Sequence, residues 1–305
     1  MACILITGAS GLLGINIALQ LSGKHQVTGV VYSQKLEGVP FNPVQADLSE
    51  PMEVASVVKQ VSPELIINCA AMADVDACEN SPEDAVRINT LLPEQLAILA
   101  QKTDMKFLHI STDAVFDGVN GGYTEDDFPN PLSVYARSKH EAEIATQRAY
   151  PNTLIARVNF YGFSLTGKRS LAEFFLYNLA AGSSIKGFTD VHFCPLLVQH
   201  LGEILNRMIE ASFSGIYHVV SPEEISKYDF GVQIARAFGL NEKLISPSSI
   251  TDSHLKAQRA PNLTLRIDKL IHDLGITPPS QSQGIQRFSS LYKQDYPQKL
   301  KTYLA

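Results

Sequence analysis

Cys3-Ile-Leu-Ile-Thr7-Gly8-Ala-Ser-Gly11-Leu-Leu-Gly14 decides how the rest of the chain is read. Residues 3–7 form a short apolar run, the pattern of a strand buried on both faces. From Leu12 to Leu21 the sequence carries no proline, and it stops at Gly23, which predicts a helix. Strand, glycine turn and helix in that order is the context in which these glycines make a dinucleotide site. Gly8 permits the tight turn, Gly11 lets the backbone approach a pyrophosphate, and Gly14 allows close helix–strand packing. The first helical amides, around Ser10, Leu12 and Leu13, then face the phosphates.

Working outward, a second strand over 26–32 ends without an acidic residue. A carboxylate at that point would bond the ribose hydroxyls of NAD. Ser33, Gln34 and Lys35 stand there instead and accept or attract a 2′-phosphate, so NADP(H) is the expected cofactor. A third strand over 44–48 brings Asp47, which either accepts from an adenine amino group or caps the helix starting near Pro51. A fourth strand over 63–71 leads to Asp74, Asp76 and Glu79, whose spacing fits a surface loop and not a metal cage; no metal is expected. A helical region from 82 to 103 is interrupted near Pro93. The fifth strand, 106–113, ends in Thr112, where ligands of open α/β sheets bind.

Asn130-Pro131 marks a turn, Ser133 can cap, and residues 134–149 read as a helix with no Gly or Pro inside. Tyr135 and Lys139 lie four apart on one face of it. A free phenol titrates near pH ~10, and a neighbouring cation can lower that by roughly one to three units. Such a phenol is a usable proton donor near neutral pH. A sixth strand covers 153–157. The alternation of strands and helices argues an α/β fold, a doubly wound parallel sheet of Rossmann type. Further helices are expected over 171–181, 198–211, 227–238 and 282–294, a buried strand over 215–220, and loops at 246–249 and 277–283. Residues 1–158, with 191–220 returning to them, are read as the dinucleotide-binding domain. Residues 159–190 and 221–305 are read as a smaller substrate lobe.

The chain has 305 residues, 45% of them hydrophobic, and a net charge of −6. That balance argues against nucleic-acid and membrane-surface partners. No run approaches the ~18 apolar residues of a membrane span, and no basic, apolar leader opens the sequence. Cys3, Cys69, Cys78 and Cys194 show no C-x-x-C pairing; Cys3 and Cys69 read as core thiols of a cytoplasmic protein.

Thr7-Gly-Ala-Ser-Gly-Leu-Leu-Gly14, Asp47-Leu48, Asn68-Cys-Ala-Ala71, Ser111-Thr-Asp113, Tyr135-x-x-x-Lys139 and Arg157-Val-Asn-Phe-Tyr-Gly162 occur in the order and spacing of a known family. Together they resemble the extended short-chain dehydrogenase/reductases. Ile110-Ser-Thr-Asp-Ala-Val-Phe-Asp-Gly118, Asn130–Lys139, Gly215–Val220 and Ile225-Ser-Lys-Tyr-Asp-Phe230 look most like the dTDP-4-dehydrorhamnose reductase group. The resemblance implies a catalytic set of Thr112, Tyr135 and Lys139 and a nucleotide-linked 4-keto-6-deoxysugar as substrate. It implies cofactor contacts from Gly8, Ser10, Gly11, Leu12, Leu13, Ser33, Lys35, Asp47, Leu48, Ala70, Ala71, Tyr135 and Lys139. Asp113, Asn159, Phe160 and Arg259 are the implied substrate residues, with Lys168, Arg169 and Arg266 as further cations for the anion. A homodimer is the assembly it allows.

Two positions depart from that group: Ala114 stands where it carries a Tyr, and Phe160 where it carries a Trp. Both put the identity of the sugar in doubt. The chain is also similar to the regulatory β-subunits of methionine adenosyltransferase, through Thr124-Glu-Asp-Asp127 and Tyr135–Lys139, which makes a non-catalytic NADP-binding subunit the alternative. A sugar-nucleotide epimerase or dehydratase ranks last, since dehydratases place an acidic pair after the strand-five hydroxyl and this chain has Asp113-Ala114.

Overall fold

In the computed structural model, which describes residues 1–252 and 257–305, six early strands are joined through helices, except that the second runs to the third by a loop. They are β1 (Cys3–Thr7), β2 (Gln26–Val31), β3 (Asn42–Gln45), β4 (Leu65–Asn68), β5 (Lys106–Thr112) and β6 (Leu154–Val158). With a later strand, Gly215–Val219, they form one seven-stranded sheet. Its order is Gly215–Val219, β6, β5, β4, β1, β2, β3, and every pairing is parallel.

Both faces of the inner strands are covered, which is why β1, β2, β4, β5 and β6 are mainly buried and apolar, while β3 at the sheet edge is exposed. Ile4 and Ile6 point into one core and Leu5 into the other. Chain order reverses between β1 and β4, and the crevice beyond the carboxyl ends of such strands is where ligands bind.

Several boundaries differ from the sequence expectations. β2 stops at Val31, so Tyr32 is exposed beyond it. β3 ends at Gln45, leaving Asp47 and Leu48 on the connection to the helix Pro51–Val61. Asp74, Asp76 and Glu79 are not in a loop. Asp74 caps a short helix, Val75–Asn80, by accepting from Ala77 N at 2.9 Å, and the other two ride on it. The break expected near Pro93 takes the form of a π-helical turn, Arg87–Leu91, followed by the helix Leu92–Thr103. Pro93 sits in that helix's first turn, directly after the wider turn, where Leu92 N donates to Arg87 O.

The later half pairs in small units. Phe160–Tyr161 runs beside Leu196–Leu197, His192–Phe193 beside Ile225–Ser226, and Ile185–Phe188 beside Ile245–Ser248. The last pair corrects the loop expected at 246–249; Pro247 is tolerated because this two-stranded unit consists of edges. Two helices of six and seven residues, Tyr296–Lys301 and Asp268–Leu274, were too short to carry a periodic signal. Among the described residues no helix is long and apolar enough to cross a membrane.

Candidate active site

A cleft of about 990 Å³ opens at the carboxyl ends of β1, β4 and β5, at the upper end of the usual size for ligand pockets. The glycine turn forms its floor. Gly8 adopts φ +65°, and a Cβ there would lie 2.8 Å from the Ala70 backbone. A Cβ on Gly14 would lie 2.2 Å from the Gly8 carbonyl, so only glycine lets the helix Leu12–Leu21 sit this close. Gly11 is the extended residue before that helix, and no side chain caps its first turn. Those amides are therefore available to an anion. Gly8, Ser10, Gly11, Leu12, Leu13, Asp47, Leu48, Ala70 and Ala71 all line the cleft. The donors and the glycine cradle fit a dinucleotide.

Asp47 Oδ1 accepts from Ser49 N at 2.9 Å and Ser49 Oγ at 2.7 Å, shaping the turn into the next helix. Ser33 and Lys35 do not line the cleft; they stand exposed on the loop after β2. The chain's last residues brace that loop, with Glu37 N donating to Tyr303 O at 3.0 Å and Leu36 bridged to Leu304.

The opposite wall is the helix Val134–Ala149, capped by the Ser133 hydroxyl accepting from Ala136 N at 3.2 Å. Tyr135, Lys139 and Glu143 share one face of it, four residues apart. Tyr135 and Thr112, the latter at the end of β5, both line the cleft. Burial pushes the phenol up to about 12, with the Thr112 hydrogen bond pulling the other way. The lowering expected from Lys139 does not govern this phenol. The Lys139 ammonium is turned into the sheet, donating to Ile110 O at 2.6 Å and lying 3.2 Å from His109 Nε2. Burial pulls Lys139 down to about 8, while Glu143 and Cys69 hold it up. A phenol held protonated at neutral pH is suited to giving a proton, not taking one.

Beyond Thr112 lies Asp113, only 4% exposed. It accepts from Thr112 Oγ1 at 3.0 Å and from Asn159 Nδ2 at 2.6 Å. Burial pushes its carboxyl up to about 6, opposed by those hydrogen bonds and by Lys227. Phe160 and Arg169 also line the cleft. Arg259 does not; it pairs with Asp76 at 3.3 Å, and Arg266 pairs with Asp268 at 2.7 Å. Lys168 is exposed. Ala114 is half-buried outside the cleft lining, and Phe116 is buried, stacked on Tyr123 with ring centres 4.2 Å apart. Cys69 is a half-buried part of the cleft wall and Cys3 is also half-buried, so neither is the core thiol expected.

The model of the RmlD substrate binding domain matches residues 1–293. The chain belongs to this family. It is 31% identical over 298 residues to the probable low-salt glycan biosynthesis reductase Agl14 of Haloferax volcanii, covering 95% of this chain and 98% of that one. It is 29% identical to dTDP-4-dehydrorhamnose reductase of Aggregatibacter actinomycetemcomitans over 94% of this chain and 98% of that one. Rat methionine adenosyltransferase 2 subunit beta is 30% identical over 90% of this chain and 82% of that one. Among solved structures, a dTDP-4-dehydrorhamnose reductase of Clostridium acetobutylicum superposes with a TM-score of 0.85 at 28% identity, covering 95% and 99% of the two chains. One from Bacillus anthracis, in complex with NADP, does so at 0.81 and 25%, covering 94% and 98%. The extended short-chain dehydrogenase/reductase fold inferred from the motifs is the fold of this chain.

Four polar residues at the site escaped the sequence reading. Glu143 had a signal: it continues the Tyr135–Lys139 spacing by one more turn. Ser111 and Arg157 were legible as motif members, but not as partners of Glu143, which accepts from Ser111 Oγ and from Arg157 Nε and Nη2. Lys227, whose charge faces Asp113 and Arg259, comes from a helix more than a hundred residues later and gave no local signal.

Proposed function

We propose that the protein is an NADP(H)-dependent reductase of a nucleotide-linked 4-keto-6-deoxysugar. The observation that carries this reading is that Tyr135, Thr112 and Asp113 line one cleft beside the glycine cradle, with the Thr112 hydroxyl donating to Asp113 at 3.0 Å. When bound, the nicotinamide supplies the hydride. Tyr135 gives its proton to the developing alkoxide, and Thr112, turning its hydroxyl from Asp113, donates a hydrogen bond to the same oxygen. Lys139 supports the cofactor ribose and the charge balance behind the phenol. Asp113, Asn159 and Phe160 hold the sugar, and Arg169 meets the diphosphate, with Arg259 further out. Ser33 and Lys35 accept the 2′-phosphate, consistent with the missing carboxylate after β2 and with the NADP complex of the Bacillus anthracis structure. Asp47, Leu48, Ala70 and Ala71 wall the rest of the cofactor. Residues 1–158 and 191–220 serve the cofactor, and 159–190 and 221–305 the sugar nucleotide.

The test is NADPH consumption with dTDP- and UDP-linked 4-keto-6-deoxysugars. Tyr135→Phe should lower turnover by roughly 10²-fold or more with NADPH affinity nearly unchanged. Near-full activity in that variant would remove Tyr135 as the proton donor. The alternative, a non-catalytic NADP-binding subunit, is favoured by the 30% identity to methionine adenosyltransferase 2 subunit beta. It predicts cofactor binding without turnover of any keto-sugar nucleotide.

A further inference from the structure

A line of polar side chains crosses the sheet behind Tyr135, and proton donation as described above uses only its end. Lys139 Nζ lies 3.2 Å from His109 Nε2, and His109 Nδ1 lies 3.0 Å from the Asn68 amide. Asn68 Oδ1 accepts from the Thr7 hydroxyl at 2.5 Å, which turns its NH₂ toward His109, and Thr7 Oγ1 accepts from Ala70 N at 3.2 Å. These residues come from β5, β4 and β1, three neighbouring strands, and from the catalytic helix. None of the four side chains is more than 2% exposed. Polar groups buried this deeply cost stability unless hydrogen-bonded, and apolar residues would fill an inner strand more simply.

The ring of His109 makes this line more than packing. Burial, with the Lys139 charge beside it, holds its imidazole neutral. A neutral imidazole donates through one nitrogen and accepts through the other, yet both of its neighbours carry N–H groups. If Lys139 is an ammonium, Nε2 accepts, Nδ1 carries the proton, and Asn68 must present its oxygen. If Asn68 presents its NH₂, Nε2 carries the proton, and Lys139 must accept as a neutral amine. The structure holds the second amide orientation, with Asn68 Nδ2 toward His109 and Oδ1 accepting from Thr7; half a turn of the amide gives the first and makes Thr7 Oγ1 the acceptor of the Asn68 NH₂. The amide orientation, the histidine tautomer and the lysine charge are thus one variable.

We propose that His109, oriented by Asn68 and Thr7, is the positioning residue that fixes the place and charge of Lys139. With Lys139 charged, the ammonium donates to Nε2 and Nδ1–H donates to the Asn68 oxygen, half a turn of the amide away from the orientation the structure holds. Loss of the Lys139 proton reverses the line. The other groups facing Lys139 are the Ile110 carbonyl, Glu143 on the next helical turn and Cys69 from beyond β4. Of the two groups bonded to Lys139 Nζ, the Ile110 carbonyl can only accept, whereas the imidazole can change its direction. The catalytic consequence rests on the reductase reading; the coupling itself does not.

NMR of the ¹⁵N-histidine- and ¹³C-lysine-labelled protein tests the coupling without substrate. The ring-nitrogen shifts of His109 should report Nδ1–H while Lys139 is charged. They should change to Nε2–H with the same midpoint as the lysine titration. A tautomer that stays fixed while Lys139 titrates overturns the proposal, as does Nε2–H beside a charged Lys139. Two variants move the midpoint in opposite directions. Asn68→Asp presents only acceptors and should raise it, shifting the alkaline fall of kcat/KM upward by about one pH unit, a tenfold change in proton concentration. His109→Phe keeps a ring but removes the acceptor, and should lower the midpoint by a similar amount. If His109 only packs, both variants lose stability or amplitude with the midpoint unmoved, which contradicts the proposal. Should the protein turn over no keto-sugar, the NMR coupling still stands or falls separately.

Discussion

Removing the charge of Glu143 probes what holds the catalytic helix against the sheet. Glu143 and Arg157 are each only 2% exposed and pair through two contacts, at 3.0 and 2.8 Å. Ser111 donates to the same carboxylate, and Arg157 lies 5.0 Å from the Phe116 ring centre. One residue thereby ties the helix carrying Tyr135 and Lys139 to both β5 and β6. Breaking such a buried pair by deleting one partner costs about 3–5 kcal/mol, because it leaves the other charge buried and alone. Glu143→Gln keeps one oxygen as acceptor, so about 3 kcal/mol is expected. Replacing both partners by apolar residues of similar size, Glu143→Leu with Arg157→Met, should fall within about 1–2 kcal/mol of wild type. Urea unfolding followed by circular dichroism, at fixed pH and without added nucleotide, measures all the variants. A Glu143→Gln cost below about 1 kcal/mol, the scale of an exposed pair, would refute the rivet. So would a double variant no more stable than the single one.

Three other outcomes follow from the site. Lys139→Ala should weaken both NADPH binding and turnover, whereas Tyr135→Phe should affect turnover alone; cofactor fluorescence titration beside initial rates separates them. Asp113 is raised in the fold to about 6, above its ordinary value near 3.9, so the folded state holds its proton more tightly than the unfolded chain. The resulting destabilisation is absent below about pH 4 and fully developed above about pH 6, at most roughly 3 kcal/mol. Unfolding free energies measured across that window should fall with rising pH in wild type, and less in Asp113→Asn. Lys35→Glu should reverse the preference for NADPH over NADH by repelling the 2′-phosphate; an unchanged ratio of the two affinities would remove Lys35 from that role.

Much of the fold was legible because its signals are local. Cys3–Thr7, the glycine turn and the Ser133-capped helix each announce themselves within a dozen residues, and the structure shows them at the expected positions. Tyr135 and Thr112 line the same cleft, one from a helix face and the other from a strand end. What was not legible depends on distant partners. The direction of the Lys139 ammonium is set by His109 and the Ile110 carbonyl on a strand, not by its spacing from Tyr135. Burial then reverses the pKa shift that spacing alone suggested. The loop expected at 246–249 is a strand because Ile185–Phe188 is there to pair with it, which no short window contains. Arg259 was singled out as an anion contact, but Asp76, some 180 residues earlier, already holds it.

The central claim is hydride delivery to a keto-sugar nucleotide with Tyr135 as the proton donor. The most direct measurement supplies NADPH deuterated at the transferable position of the nicotinamide C4, with dTDP- and UDP-linked 4-keto-6-deoxysugars, and reads the product by mass spectrometry. The account predicts a sugar nucleotide reduced at C4 and heavier by one deuterium, formed by wild type and suppressed at least about a hundredfold by Tyr135→Phe. Tight NADPH binding with no deuterium in any sugar product would contradict it.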